Sequence, residues 1–257
     1  MTSAINGPNY QCQNHPLTTQ LEAGIRYFDI RARVLNDSLQ IYHQDSPTQH
    51  SYASVLTTMF TFLSSNPGET ILMRLKEEST PLNSTLSFLT LFNYYRLTSP
   101  LTAPGCSQHF WTPDPTLKKI PTLGSLRNKI LILQNFASES ATYGIKWESP
   151  LLSIEDLWEI PNLASLDEKW EVVRDGLEAA GNGMERGDGV LYLSHLSASV
   201  GVLPVEAAAG DREGEVRGLN DRVGMWLQEG NGGSTGVVIV DFPGRKLVEG
   251  VLRRNLR

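Results

Sequence analysis

Apolar residues along the chain recur with two periods, a strand-like two and a helix-like 3.6, and the two alternate from one end to the other. Leu17 and Leu21 belong to a short helical stretch that Gly24 ends. Over residues 25–34 the pattern switches: Phe28, Ile30, Ala32 and Val34 take one face, and Asp29, Arg31 and Arg33 take the other, which predicts a strand. Residues 39–43 predict a second strand. Val55, Met59, Phe62 and Leu63 then fall at helical spacing until Asn66-Pro67-Gly68 stops them. Residues 70–76 predict a strand and 85–97 a helix, while 99–122, rich in Pro, Ser and Thr, read as a long irregular excursion. KILILQ at 129–134 reads as a buried strand, and Leu166, Trp170, Val173 and Leu177 mark an amphipathic helix. Further strands are expected at 190–194 and 237–241. Helices are expected around Leu219, Val223, Trp226 and Leu227 and over 246–254, and residues 202–213 read as a loop.

Strand–helix alternation of this kind implies a parallel sheet covered by helices, either doubly wound or closed into a (β/α) barrel. Several expected strands carry a polar residue near their C-terminal end: Arg31, His43, Lys76, His195 and Asp241. Barrel enzymes place their functional groups there. No Gly-rich phosphate-binding turn follows any strand, which weakens the nucleotide-binding sheet. The expected architecture is therefore α/β, one barrel domain spanning residues 1–257.

Composition narrows the function classes without choosing one. A chain of 257 residues with 40% aliphatic and aromatic residues and 19% charged ones has the balance of a globular protein. No apolar run reaches the roughly 18 residues of a membrane span. The 22 Lys and Arg against 28 Asp and Glu leave a net charge of −6, which argues against nucleic acid and against electrostatic docking on anionic membranes. Cys12 and Cys106 cannot form a disulfide framework or a zinc site by themselves; one bridge is possible, and free thiols are the default expectation. Residues 1–10 lack the pattern of a secretory signal, so the chain as written starts in the cytosol, and would be secreted if its beginning lay further upstream. The sequons at Asn36 and Asn83 matter only in that second case.

The densest polar constellation is RYFDIRAR at 26–33. A solvent-exposed edge strand would show the same alternation. Against that reading, Asp29 and Arg31 lie two apart on one face and can pair, and an Arg held by a carboxylate presents a fork that matches two phosphate oxygens. His43 ends the strand expected beside Arg31. Imidazole titrates near neutrality, so next to a bound phosphate it is a natural general acid for an alkoxide leaving group; a hydrogen-bonded structural histidine is the plainer alternative. Lys76 adds a third group of the same class, although alone it reads as a solvated strand end.

In QLEAGIRYFDIRARV, LQIYHQ, FLSSNPGETILMRLKEE and VVIVDF the chain resembles the X-domain family of phosphatidylinositol-specific phospholipases C, in its bacterial and fungal single-domain form. The first three blocks cover residues 20–78 in specific order and spacing; beyond residue 80 the likeness is diffuse until 189–242. The resemblance implies an irregular TIM-type barrel acting on phosphatidylinositol-type lipid at a membrane surface, as a monomer. The implied reaction is attack of the inositol 2-hydroxyl on the phosphodiester, releasing diacylglycerol and an inositol phosphate. By the same resemblance His43 corresponds to the general acid, Arg31 to the phosphate-binding Arg, Asp29 to its acidic neighbour, and Asp241 to the carboxylate that orients a general-base histidine. Lys76 corresponds to a pocket Lys near the inositol, and Asp156 with Trp158 to the Asp-x-aromatic pair that holds and stacks on the sugar. Arg31 stands where calcium-dependent relatives carry an acidic residue, so a metal-independent site without cofactor is implied. Phe110-Trp111 could form an apolar wedge into a lipid surface, with core filling the favoured alternative.

Two features depart from the family pattern. Its opening Pro-Gly-Thr-His segment does not precede residue 20, and His15, in NHPL, has neither its neighbours nor a strand context and reads as a surface or capping residue. The chain as written therefore lacks the general base and, by expectation, the first strand, a loss that typically costs roughly 10²–10⁴ in rate. An incomplete beginning is favoured over a catalytically impaired form that binds a head group or a protein partner, because Asp241 has no task without its histidine. Gln134-Asn135 also replaces a basic residue found in bacterial relatives. A glycerophosphodiester phosphodiesterase is a third reading; it would need a carboxylate-bound metal.

Overall fold

The alternating stretch around Asp29 becomes strand β1 (Tyr27–Leu35) of a six-stranded sheet in the computed structural model, which describes residues 2, 5, 7–139 and 141–256. The chain divides into two compact units. One holds residues 15–117 and 121–149 with the described part of 1–5, and the other holds 118–120 with the described parts of 6–14 and 150–257.

The first unit contains α1 (Leu17–Glu22), β1, β2 (Ser38–His43), β3 (Ser46–Ser51), α2 (Tyr52–Ser65), β4 (Thr70–Glu77), α3 (Phe88–Leu97), α4 (Ala103–His109), β5 (Lys129–Asn135) and β6 (Ile145–Lys146). Its strand order is β3-β2-β1-β4-β5-β6. Strands β1, β4, β5 and β6 run parallel, whereas β2 and β3 are antiparallel to their neighbours. The expectation of parallel strands throughout therefore fails at β2. Asn36 and Asp37 both take positive φ, 48° and 54°, so a two-residue turn folds β2 straight back along β1. One face of β1 carries Phe28, Ile30, Ala32 and Val34 into a core shared with Ile71, Met73, Ile130 and Ile132, beneath Val55, Leu56, Met59 and Leu63 of α2. Burying each such side chain stabilises the unit by about 1.5–3 kcal/mol.

Residues 99–122 are less irregular than their composition suggests, because α4 forms there. A Pro in its first turn is compatible with a helix start, and Gly105 lets it approach closely: a Cβ at that position would collide with the Phe60 ring. Phe110 packs against Phe60 and Phe92, with ring centroids 6.2 Å and 6.4 Å away, so this ring fills the core and does not form a wedge. Both cysteines are free, and burial pushes the Cys106 thiol up to about 12. His15 is exposed and precedes the helix cap, as expected of a surface residue.

The second unit contains β7 (Leu152–Glu155), α5 (Leu166–Arg186), β8 (Leu191–His195), α6 (Pro204–Ala209), α7 (Leu219–Gln228), β9 (Val237–Ile239) and α8 (Arg245–Leu252). Its three strands are parallel in the order β7-β8-β9. Leu166, Val173 and Leu177 of α5 pack with Leu219, Val223, Trp226 and Leu247. Helix α5 approaches the sheet closely at Gly176, where a Cβ would lie 2.8 Å from Ser194 Oγ. Helix α6 occupies part of the stretch expected to be a loop, and β9 stops at Ile239, two residues before the expected end. Among the described residues no helix is long and apolar enough to cross a membrane.

Candidate functional site

Two neighbouring parallel strands build the polar cluster of the first unit. Asp29 on β1 is in register with Arg74 on β4, and Arg31 with Lys76. Register partners in a parallel pair project from the same face, so the four side chains form a two-by-two patch on the face opposite the core. Arg31 donates to Asp29 Oδ2 from Nε at 3.1 Å and from Nη2 at 3.0 Å. Arg74 Nη1 donates to the same oxygen at 3.2 Å.

Glu78, one residue past β4, completes the patch. Its carboxylate lies 2.7 Å from Lys76 Nζ and 3.7 Å from Arg31 Nη1, and it accepts from the backbone N–H of Gln44 at 3.0 Å. Gln44 follows His43 directly, so Glu78 fastens the end of β2 to β1 and β4. The hairpin thus brings the strand end that bears His43 beside the cluster as the returning end of an antiparallel strand, where sequence reasoning expected the forward end of a parallel one. Among these ion pairs Arg31, Arg74 and Lys76 face Asp29 and Glu78, which leaves one positive charge in excess.

Of the pair Gln134-Asn135, only Asn135 joins the cluster: its Oδ1 accepts from Arg74 Nε at 3.1 Å and Nη2 at 2.8 Å. Gln134 is buried and structural, donating to Ser138 Oγ at 2.8 Å and accepting from the Tyr143 N–H at 2.9 Å.

In the second unit the functional candidates follow the C-terminal ends of the three parallel strands. Asp156 follows β7, His195 ends β8, and Asp241 lies two residues past β9. Glu155 organises the first two. Its carboxylate accepts from Lys169 Nζ at 2.9 Å, from the Leu157 N–H at 2.9 Å and from the His195 N–H at 3.2 Å. The Glu155 carbonyl is paired with His195 Nδ1 at 2.7 Å; a carbonyl only accepts, so Nδ1 carries the proton. That nitrogen stands 4.0 Å from the Asp156 carboxylate. Lys169 is fully buried; burial pulls its pKa below the ordinary lysine value, and the adjacent Glu155 opposes that shift.

Asp241 is held through its backbone: its carbonyl accepts from Asn220 Nδ2 at 2.9 Å, and the next N–H, of Phe242, donates to the Cys12 carbonyl at 2.9 Å. Trp158 is 42% exposed, with its backbone carbonyl fixed by the Ser199 N–H at 2.8 Å.

Sequence reasoning singled out Gln134-Asn135 but missed Arg74 and Glu78 in the first unit and Glu155 and Lys169 in the second. The RLKEE segment did carry a signal for two of them. Arg74 and Lys76 repeat the i, i+2 spacing of Asp29 and Arg31, and an acidic residue follows. Among the described residues no group of three or more His, Cys, Asp or Glu could hold a metal ion.

Comparison with known proteins identifies the family and the fold. The family model for the phosphatidylinositol-specific phospholipase C X domain matches residues 6–136. A 1-phosphatidylinositol phosphodiesterase of Listeria monocytogenes is 32% identical, over 99% of this chain and 75% of the relative. A protein of the same description from Staphylococcus aureus is 23% identical, over 90% and 76%. The solved structure of phosphatidylinositol-specific phospholipase C from Listeria monocytogenes superposes with a TM-score of 0.73 at 29% identity, covering 99% of this chain and 90% of that one. A Staphylococcus aureus structure gives 0.74 at 20% identity, a likeness of fold alone. The fold class these comparisons support is the TIM-type α/β barrel expected from the strand-end residues.

Proposed function

Because the chain belongs to the phosphatidylinositol-specific phospholipase C X-domain family, we propose that the Asp29–Arg31–Lys76 cluster is a phosphodiester site for phosphatidylinositol-type lipids. The observation that carries this reading is the excess positive charge of the cluster, held beside the strand end that bears His43. Arg31, braced by Asp29, takes the phosphate oxygens through its guanidinium fork and opposes the charge that builds up as the inositol 2-hydroxyl attacks phosphorus. A new P–O bond forms to the inositol oxygen, the bond to the diacylglycerol oxygen breaks, and His43 gives that oxygen its proton. The proton of the attacking hydroxyl goes to solvent water, since the sequence carries no Pro-Gly-Thr-His segment to supply the family's general-base histidine. Lys76 contributes to inositol recognition.

In the second unit we assign Asp156 and Trp158 to binding and stacking on the sugar, and Asp241 to the carboxylate position that orients the general-base histidine of the family pattern. Guanidinium and ammonium groups supply the positive charge a divalent cation would otherwise bring, so the reaction needs no metal. Release of water-soluble inositol phosphate from phosphatidylinositol vesicles tests the assignment. Arg31→Lys, which keeps the charge and loses the fork, is expected to lower kcat at least tenfold. Turnover indifferent to Arg31→Lys would contradict it.

A further inference from the structure

Arg74 is the cluster member whose placement is hardest to explain as packing. It sits in β4 among Leu72, Met73 and Leu75, and its side chain is only 9% exposed. Its Nη1 donates to Asp29 Oδ2 at 3.2 Å, its Nε and Nη2 donate to Asn135 Oδ1, and the Trp147 ring covers its guanidinium carbon at 3.9 Å. A guanidinium stays ionised even when buried, so this is a permanent positive charge walled in by a carboxylate, an amide and an aromatic face.

The Asp29 oxygen that Arg74 meets is the one that already accepts both hydrogen bonds from Arg31. One carboxylate oxygen thus serves two guanidinium groups. We infer that Arg74 is a positioning residue that sets the charge of the anion site: by sharing Asp29 it prevents that carboxylate from neutralising Arg31. The inference rests on the phosphodiester reading of this site. Without Arg74, the ion pairs that Asp29 and Glu78 make with Arg31 and Lys76 would face an incoming phosphodiester with one positive charge fewer. Arg74 itself is enclosed, so it acts through Asp29. The demand for positive charge grows as the attacking oxygen adds negative charge at phosphorus, which places the effect in kcat more than in KM.

A double-mutant cycle separates this role from a merely structural one. Arg74→Met and Arg74→Lys are made in the native and in the Asp29→Asn background. Two quantities are read: kcat and KM on phosphatidylinositol in mixed micelles, and the rise in melting temperature with inorganic sulfate, which needs no turnover. Arg74→Met is expected to lower kcat at least tenfold, with KM within threefold, and to weaken the sulfate response, while Arg74→Lys recovers a large part of both. In the Asp29→Asn background Arg74→Met is expected to cost less than threefold. An equal loss in both backgrounds, or a sulfate response untouched by Arg74→Met, overturns the inference. Should Arg74→Met not fold, Arg74→Gln, whose amide still reaches towards Asn135, replaces it with the same expectations. A native chain that turns over no phosphatidylinositol, yet loses its sulfate response on Arg74→Met, would overturn the phospholipase reading and leave this inference standing.

Discussion

Glu78 accepts a 3.0 Å hydrogen bond from the backbone N–H of Gln44, the residue that follows His43. The same buried carboxylate is paired with Lys76 at 2.7 Å, so one side chain couples the returning strand of a hairpin to the strand that carries the lysine. Glu78→Ala is expected to destabilise the chain by about 1–3 kcal/mol, because it removes the acceptor of the Gln44 N–H and leaves the lysine without its partner. Glu78→Gln keeps an acceptor for Gln44 and is expected to cost less than half as much. Urea unfolding of both variants, followed alongside phosphatidylinositol turnover, checks the ranking.

Lys169 and Glu155 form a buried pair in the second unit, 2.9 Å apart. Lys169→Met alone is expected to destabilise by about 3–5 kcal/mol, since it leaves a carboxylate almost out of water without its cation. Combining it with Glu155→Gln removes both charges and should restore most of the loss. Burial holds the lysine pKa in the folded chain below its ordinary 10.5. Between the folded value and 10.5 the unfolded chain binds more protons at this residue, so its contribution to stability rises with pH across that window. Chemical denaturation on the alkaline side should therefore show a positive slope in the native chain relative to Lys169→Met.

The Cys106 thiol is buried and raised to about 12, while Cys12 is only half-buried. A thiol-specific reagent at mildly alkaline pH is expected to modify Cys12 and spare Cys106 until the chain unfolds. The sign of the linkage is opposite to that of Lys169. Folding holds the proton on Cys106, so its contribution is complete below the ordinary 9.0 and is lost as pH rises towards about 12. Mass spectrometry of native and denatured samples identifies the labelled cysteine.

The parts of this fold legible in the sequence are those where one period dominates a whole element. Strand β1 announced Asp29 and Arg31 because its other face is uniformly apolar, and the long stripe of Leu166, Val173 and Leu177 announced α5. The direction of β2 was hidden in Asn36 and Asp37, whose positive φ turns an expected parallel strand into a hairpin. Helix α4 was hidden by Pro, Gly and Ser, residues that resist helix formation unless tertiary packing overrides them. Arg74 is masked by its apolar neighbours, and Glu78 and Lys169 sit in the charged runs KEE and DEKWE, where the pattern gives no sign of burial. A single charged residue is silent about burial until its partners are in place.

The central claim is that His43 and the Asp29–Arg31–Lys76 cluster cleave a phosphodiester without a metal ion. Phosphorus NMR of phosphatidylinositol micelles incubated with the chain in excess chelator tests it most directly. The account predicts that the lipid phosphodiester resonance is replaced by that of an inositol phosphate at a rate unchanged by chelator, and that His43→Ala slows this at least a hundredfold. Conversion that stops in chelator and returns with a divalent cation, or that proceeds unchanged in His43→Ala, would contradict it.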